Sequence, residues 1–521
     1  MAKAETIGDV LRHWARVAPQ RPVITAAETG CTISYGELEQ FSIELDALFA
    51  AKGVPRRARV ALFLSNGLAM SGIFLATMAC GRIVTPVNLL AQASQLAYVL
   101  EHCEADLLIT SADHLERIEA ALSSADRRPQ LLVVDPDRVD WIQHHRVQAG
   151  TTAAETECGT ISRQLVRHLN GKDIAMMMYT SGTTGKPKGA MLSHASLLYA
   201  AEQLVQWHGL TAQDRVLSAL PLYHINGQVV ATLAPFLAGG CMVVPRKFSV
   251  SSWWHDVQRY QCTWINMVPT IVAYLLHHSQ QPDTAELGRR ACATVRFGRS
   301  ASSPLPPEHQ QLFEQRFGVP LIEAMGMTES SSVVFCNPMP PGRHKSGSPG
   351  VPLGIVAKVV DGKGNELPNC QQGEIWFRGP NLMTGYFKSP EQTADAIDAD
   401  GWMHSGDLGH RDDDGYFFIT GRLKELIIKG GENIAPREID EALLRHPDVL
   451  EAAAVGIAHA SYGQDILACV VLREHAKITA EQLREFCRIE LGDFKTPAQI
   501  RVLAQLPKGP SGKVQRLQLL N

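Results

Sequence analysis

Apolar and polar positions switch between two periods along the first 420 residues of this 521-residue chain. Short continuous apolar runs read as buried strands: Arg59-Val-Ala-Leu-Phe-Leu64, Asp106-Leu-Leu-Ile-Thr110 and Ile174-Ala-Met-Met-Met-Tyr179. Helical patterns alternate with them. One surrounds residues 70–80, and another carries Leu197, Leu198, Ala201 and Leu204 behind a capping serine, Ser193. Residues 229–244 are apolar but broken by Pro235, Gly239 and Gly240. They predict a core helix followed by a strand, not a membrane span. The alternation argues for α/β layers. Residues 123–170 are more polar and predict surface elaboration.

The texture changes near residue 423. Asp412-Asp-Asp-Gly415 is a turn, 416–420 a strand, and Gly421-Arg-Leu-Lys-Glu425 a short charged connector. Beyond it the pattern predicts a helix over 436–445, strands over 452–457 and 466–472, and a helix opened by the capping box Thr479-Ala-Glu-Gln482. Two domains follow: a large one over 1–422, and a small α+β one over 423–521 tethered by a single hinge.

Composition then removes several classes. The formal net charge is −4 and no dense Lys/Arg run occurs, which argues against a nucleic-acid partner. The eleven cysteines are scattered without a CxxC pair, so neither zinc nor a disulfide framework is suggested. This usage fits a reducing, cytoplasmic compartment. The N-terminus opens on a polar segment and an amphipathic helix, unlike a secretory signal, and no integral membrane segment is predicted.

The densest chemistry lies in Tyr179-Thr-Ser-Gly-Thr-Thr-Gly-Lys-Pro-Lys-Gly-Ala190. Twelve positions hold three glycines, four Ser/Thr hydroxyls and two lysines. A buried strand leads in and a capped helix follows, so the stretch reads as a strand–loop–helix built to hold phosphate. Glycines let backbone approach, hydroxyls and N–H groups donate, and lysines add charge. It is not a Walker loop. Thr180 stands where the first glycine belongs, and Pro187 occupies the magnesium-binding hydroxyl position.

This loop resembles the phosphate loop of the adenylate-forming superfamily, which includes acyl-CoA synthetases, peptide-synthetase adenylation domains and luciferases. Six further segments match that superfamily in order. They are Pro221-Leu-Tyr-His-Ile-Asn-Gly227, Arg296-Phe-Gly-Arg-Ser-Ala-Ser-Ser-Pro-Leu305, Glu323-Ala-Met-Gly-Met-Thr-Glu329, Gly401-Trp-Met-His-Ser-Gly-Asp407, Gly421 to Gly431, and Pro507-Lys-Gly-Pro-Ser-Gly-Lys513. The resemblance implies a large domain of layered α/β subdomains with a β-barrel part, and a mobile C-terminal domain.

It also implies roles. ATP would be held by Thr180, Ser181, Gly182, Thr183, Thr184, Gly185, Lys186 and Lys188, with Ser300, Glu323, Ala324 and Met325 around the base. Asp407 and Arg422 would hold the ribose and phosphate. Thr328 would contact a phosphate, and Glu329 would carry Mg²⁺. Met325 departs from the family, where tyrosine usually packs on adenine; a methionine can cover that face too. Tyr223, His224, Asn226 and Arg299 would line the acyl pocket, with His224 closing it over the adenylate. Lys513 would be the catalytic lysine of adenylation, Lys424 the pivot, and Gly430 with Gly431 the wall of a CoA tunnel.

The implied activity is an ATP-dependent carboxylic acid–CoA ligase, which makes an acyl-AMP with release of pyrophosphate and then acylates the CoA thiol. A carrier-protein phosphopantetheine or an amine is the alternative acceptor. The run Arg296-Phe-Gly-Arg-Ser-Ala-Ser resembles oxalate–CoA ligases, and Arg299 could read a second carboxylate bidentately. A structural ion pair is the competing role for Arg299. The sequence leaves monomer and homodimer both open.

Overall fold

Apolar runs too short for helices pair in parallel when both faces are covered. Two such sheets form the body of the large domain. The computed structural model describes residues 4–123, 125, 127–138, 169–180, 186–474, 476–508 and 514–520. The first sheet has nine strands, in the order Val351–Pro352, Phe335–Cys336, Leu321–Met325, Phe297–Ser300, Trp264–Met267, Arg215–Ser218, Cys241–Val244, Pro22–Ala26 and Thr32–Ser34. The six from Leu321–Met325 to Pro22–Ala26 run parallel. The second has seven: Gly385–Tyr386, Lys188–Ser193, Ile174–Thr180, Ile83–Pro86, Arg59–Phe63, Leu107–Thr110 and Gln130–Val133. Its last five run parallel. Helix Leu68–Ala79 is buried at every position, as an all-apolar helix must be.

Three expectations are corrected. Residues Lys188–Ser193 form a strand, antiparallel to Ile174–Thr180 with Thr180 opposite Lys188. The phosphate loop therefore joins two strands of a hairpin and does not lead directly into a helix. Strand pairing overrides the weak β-propensity of Lys-Gly-Ala. Ser193 still caps helix His194–His208, its Oγ accepting from the Ser196 N–H at 3.1 Å.

The β-barrel expectation also fails: no closed barrel forms among the described residues. The strands Val356–Val360, Gly373–Arg378, Met403–Arg411 and Phe417–Arg422 make an open antiparallel sheet whose first and last strands do not pair with each other.

Third, the predicted core helix is two pieces. Asn226–Leu233 is a π-helix, followed by helix Ala234–Ala238 and strand Cys241–Val244. Pro235 accounts for the widening. It has no N–H for the Ala231 carbonyl, and its ring crowds that carbonyl.

The small domain is one sheet, in which Gly463–Leu472 pairs with Val449–His459, Ile427–Lys429 and Gln499–Val502. Ile439, Leu443, Leu483 and Cys487, from helices Pro436–Leu444 and Ala480–Leu491, pack against one face. Leu506, Val514 and Leu519 cover the other. Thr479 and Gln482 form the expected capping box. Among the described residues no helix is long and apolar enough to cross a membrane.

The turn leaving strand Leu321–Met325 admits no side chain. A Cβ on Gly326 would stand 1.2 Å from the Ser332 carbonyl oxygen. Opposite it, Ser331 and Ser332 hold left-handed φ values of 50° and 90°. Gly326→Ala is expected to destabilise the large domain by about 3 kcal/mol or more. A thermal melt equal to the parent's would contradict that geometry.

Candidate active site

The parallel strands of the first sheet end together, and a crevice at such carboxyl ends is where open α/β sheets hold ligands. Asn266 and Arg299 sit opposite each other near the ends of adjacent strands. They share a face with Trp264 and Phe297, which stack with ring centroids 5.3 Å apart. Asn226, the first residue of the π-helix, reaches the same place. Its Oδ1 accepts from Arg299 Nη1 and from Asn266 Nδ2, each at 3.2 Å, and its Nδ2 donates to Ser302 Oγ at 3.2 Å. Ser302 holds φ at 78°, a strained conformation for a side-chain-bearing residue. Gly227 allows the chain to enter this corner, since a Cβ there would come within 2.8 Å of the Pro221 carbonyl. Tyr223 is buried and packs edge-on to His224, centroids 4.7 Å apart.

Arg299 is 1% exposed, yet no acidic side chain pairs with it among the described residues, and its Nε has no hydrogen-bond partner. Burial pulls its pKa below the usual arginine value. The titratable neighbours supply no counter-charge. Burial pushes the Cys336 thiol up to about 11 and holds His208 down at about 3, so both are neutral at pH 7. The predicted alternative of a structural ion pair is thus absent. An isolated buried cation is costly unless something compensates it.

The residues expected to hold the nucleotide sit on the second sheet, on the turn after Leu321–Met325 and on the open sheet. Glu329 follows Thr328 in the turn Thr328–Ser330 and is 8% exposed. Its Oε1 accepts from the Tyr386 hydroxyl at 2.7 Å. The same tyrosine ring carries Lys188 Nζ 4.3 Å from its centroid. Tyr386, opposite Ala190 in the second sheet, thus ties the end of the phosphate loop to Glu329. Sequence reading missed it because a single tyrosine after glycine carries no recognisable pattern.

Among the described residues no group of three His, Cys, Asp or Glu forms a metal cage. One buried carboxylate fits Mg²⁺, which takes one or two carboxylates and fills its other positions with phosphate oxygens and water.

Asp407 is buried and pairs across the strands with Arg422, whose Nε donates to Oδ1 at 2.8 Å. The Asp407 charge raises the Arg422 pKa, and Glu425 and Glu329 add to the effect. Ala324 is buried and Met325 half-buried at the end of their strand. Ser300 is fully buried with an unpartnered Oγ. Glu323 turns away from the strand end to brace the segment after Ser300: its Oε1 accepts from the Leu305 N–H at 3.1 Å. Burial pushes its carboxyl up to about 7. Lys186 is exposed and rests 5.3 Å from the Tyr98 ring centroid.

Lys424 is exposed in the turn Leu423–Glu425, between the strands Phe417–Arg422 and Ile427–Lys429 of two different sheets. Gly430 and Gly431 hold left-handed φ values of 57° and 86°. Ser181, Gly182, Thr183, Thr184, Gly185 and Lys513 lie outside the described residues. The flanks of 509–513 are anchored. Lys508 bridges Val514 and pairs with Glu451 at 2.7 Å, and Arg516 donates to Asp440 and Glu425.

Parallel strands ending together, a buried carboxylate tied through Tyr386 to a lysine-bearing hairpin, an Asp–Arg pair and a separate C-terminal sheet are features of a nucleotide-dependent enzyme. Residues 11–387 match the model for AMP-binding enzymes, and 438–513 match that for the AMP-binding enzyme C-terminal domain. The chain belongs to the AMP-binding enzyme family.

It is 46% identical to a sulfoacetate–CoA ligase from Cupriavidus necator, over 99% of this chain and 98% of that protein. It is 32% identical to an oxalate–CoA ligase from Arabidopsis thaliana, over 98% of each. Among solved structures, ATP-bound MatB from Rhodopseudomonas palustris superposes with a TM-score of 0.86 at 29% identity, covering 99% of this chain and 98% of that one.

Removing an uncompensated buried charge should help the ligand-free fold. Arg299→Met keeps much of the volume and is expected to leave the melting temperature of the free enzyme equal to the parent's or a few degrees higher. A clear fall would mean that Arg299 is a structural group.

Proposed function

We propose that this enzyme activates a small carboxylic acid bearing a second anionic group, a carboxylate or a sulfonate, and that Arg299 reads that second group. The observation that carries the proposal is the buried guanidinium with a free Nε, no acidic partner among the described residues, and three polar side chains beside it. A planar guanidinium suits bidentate recognition of an oxyanion. The names of the sulfoacetate–CoA and oxalate–CoA ligase relatives agree with such an acid.

The reaction is ATP- and Mg²⁺-dependent ligation of an acid to CoA through an acyl-AMP. A carboxylate is a poor acyl donor because oxide would have to leave. Its attack on the α-phosphate of ATP expels pyrophosphate and gives a mixed anhydride, which the CoA thiol then opens with release of AMP. Protein groups contribute position and charge more than covalent chemistry.

In our reading, the loop 180–188 and Thr328 hold the polyphosphate. Glu329, steadied by Tyr386, would carry the magnesium ion, which neutralises phosphate charge when bound. Asp407 accepts from the ribose hydroxyls while Arg422 faces ribose or phosphate, and Met325 covers the adenine. Tyr223 and His224 close the acid pocket. Lys513 bridges the attacking carboxylate and the α-phosphate. The small domain then turns about Lys424, withdrawing Lys513 and presenting Gly430 and Gly431 to the pantetheine arm.

Two measurements test this reading. With Arg299→Met, kcat/KM for acids with a second anion should fall roughly 100-fold or more, since unpairing a buried charge typically costs 2–5 kcal/mol. Monocarboxylates of equal size should react as well as before or better; a uniform loss over both sets would refute the assignment. Lys513→Ala should lower pyrophosphate release roughly 100- to 1000-fold while sparing thioester formation from supplied acyl-AMP. Near-parental pyrophosphate release would remove Lys513 from the mechanism.

A further inference from the structure

The two flanks of the phosphate loop meet the same helix. Tyr98 and His102 lie one turn apart on helix Ala93–His102, their rings stacked with centroids 5.2 Å apart. Tyr179, in the strand entering the loop, sets its hydroxyl 2.7 Å from His102 Nδ1. Lys186, on the exit side, sets its ammonium over the Tyr98 ring. The His102 ring also meets Phe387 edge-on at 5.8 Å, and the Phe387 N–H donates to the Gly189 carbonyl. Phe387 directly follows Tyr386, the residue bonded to Glu329. The end of the helix is fastened in turn: Glu104 pairs with Lys388 at 2.5 Å and with Arg59 at 2.9 Å.

The chemistry of the contacts is consistent with a fixed support. Burial and then Lys388 lower the His102 pKa below the usual histidine value, with Glu104 opposing and Lys186 adding to the fall, which favours the neutral imidazole at pH 7. Burial keeps the Tyr179 hydroxyl protonated, and in the Nε2–H tautomer the neutral Nδ1 of His102 accepts from it. The cation–π contact of Lys186 is an exposed one and weak. It can be exchanged for a phosphate oxygen at little cost.

We propose that the Tyr98–His102 face is a positioning platform for polyphosphate binding. His102 fixes the entering strand through Tyr179 and, through Phe387, the segment that holds Glu329. Tyr98 gives Lys186 a resting place that a phosphate displaces. His102 and Tyr98 are positioning residues and act through Tyr179 and Lys186. The inference rests on the assignment of 179–190 as the polyphosphate loop.

The test compares two half-reactions in the full-length enzyme. His102→Phe keeps the ring stack and removes the acceptor; Tyr179→Phe removes the donor. Each is expected to raise KM for ATP about threefold to tenfold, the worth of one hydrogen bond, with the KM for the acid unchanged. Thioester formation from supplied acyl-AMP, which involves no polyphosphate, should stay at the parental rate. His102→Gln, which can still accept, should recover much of the ATP affinity.

Equal loss in both half-reactions, or an unchanged ATP KM in both His102→Phe and Tyr179→Phe, would overturn the platform. Lys186→Ala separates the two levels of the claim. If it raises the ATP KM while the platform variants do not, only the platform fails. If it too leaves the ATP KM unchanged, the loop assignment fails with it.

Discussion

A guanidinium taken out of water without an acid beside it loses hydration that the protein itself does not replace. Among the described residues Arg299 is so placed, and the side chains around it show the consequence. The strand fixes its direction, and the π-helix delivers the Asn226 carbonyl to one of its terminal nitrogens. A strained Ser302 holds the other end of the same amide. His208 and Cys336, which could have altered the local charge, are kept neutral by burial. The net result is a dry positive centre at the carboxyl ends of the parallel strands. An acid with a second oxyanion would compensate it, and one without would leave it unpaired. Selectivity of this kind comes from the penalty on the wrong ligand as much as from attraction to the right one.

The nucleotide side uses a different principle. Among the described residues there, none carries an uncompensated charge of that depth. Glu329 is oriented by Tyr386, Asp407 by Arg422, and Lys188 lies on the ring that orients Glu329. The Tyr386 contacts join the hairpin of the second sheet to the turn after Leu321–Met325, and the Asp407–Arg422 pair ties two neighbouring strands of the open sheet. At the far end, Arg516 links the C-terminal tail both to helix Pro436–Leu444 through Asp440 and to the turn Leu423–Glu425 through Glu425. If Lys513 acts as proposed, the segment that follows it is anchored, and rotation of the C-terminal part would move the two together.

Much of this was legible in the chain. The apolar runs near residues 59, 107 and 174 became parallel strands, and the Ser193 and Thr479 caps sit where their side chains predict. The change of texture near 423 falls at the turn Leu423–Glu425, between the last strand of the open sheet and the first of the C-terminal one. What was not legible depends on partners distant in sequence. Lys188–Ser193 is a strand only because Ile174–Thr180 lies beside it, and its own composition does not ask for one. Tyr386 matters only because Glu329 lies within a hydrogen bond of it. Among the described residues the expected barrel does not close, because the first and last strands of that sheet do not pair with each other. Arg299 could equally have been half of an ion pair; only its surroundings separate that from an open cation.

ATP–pyrophosphate exchange measured for two acids of equal size addresses the central claim most directly, one ending in a carboxylate or sulfonate and the other in a neutral isostere. The account predicts that the doubly anionic acid supports exchange at least tenfold more efficiently in kcat/KM, the worth of about 1.4 kcal/mol. Equal or better exchange with the neutral isostere would contradict it.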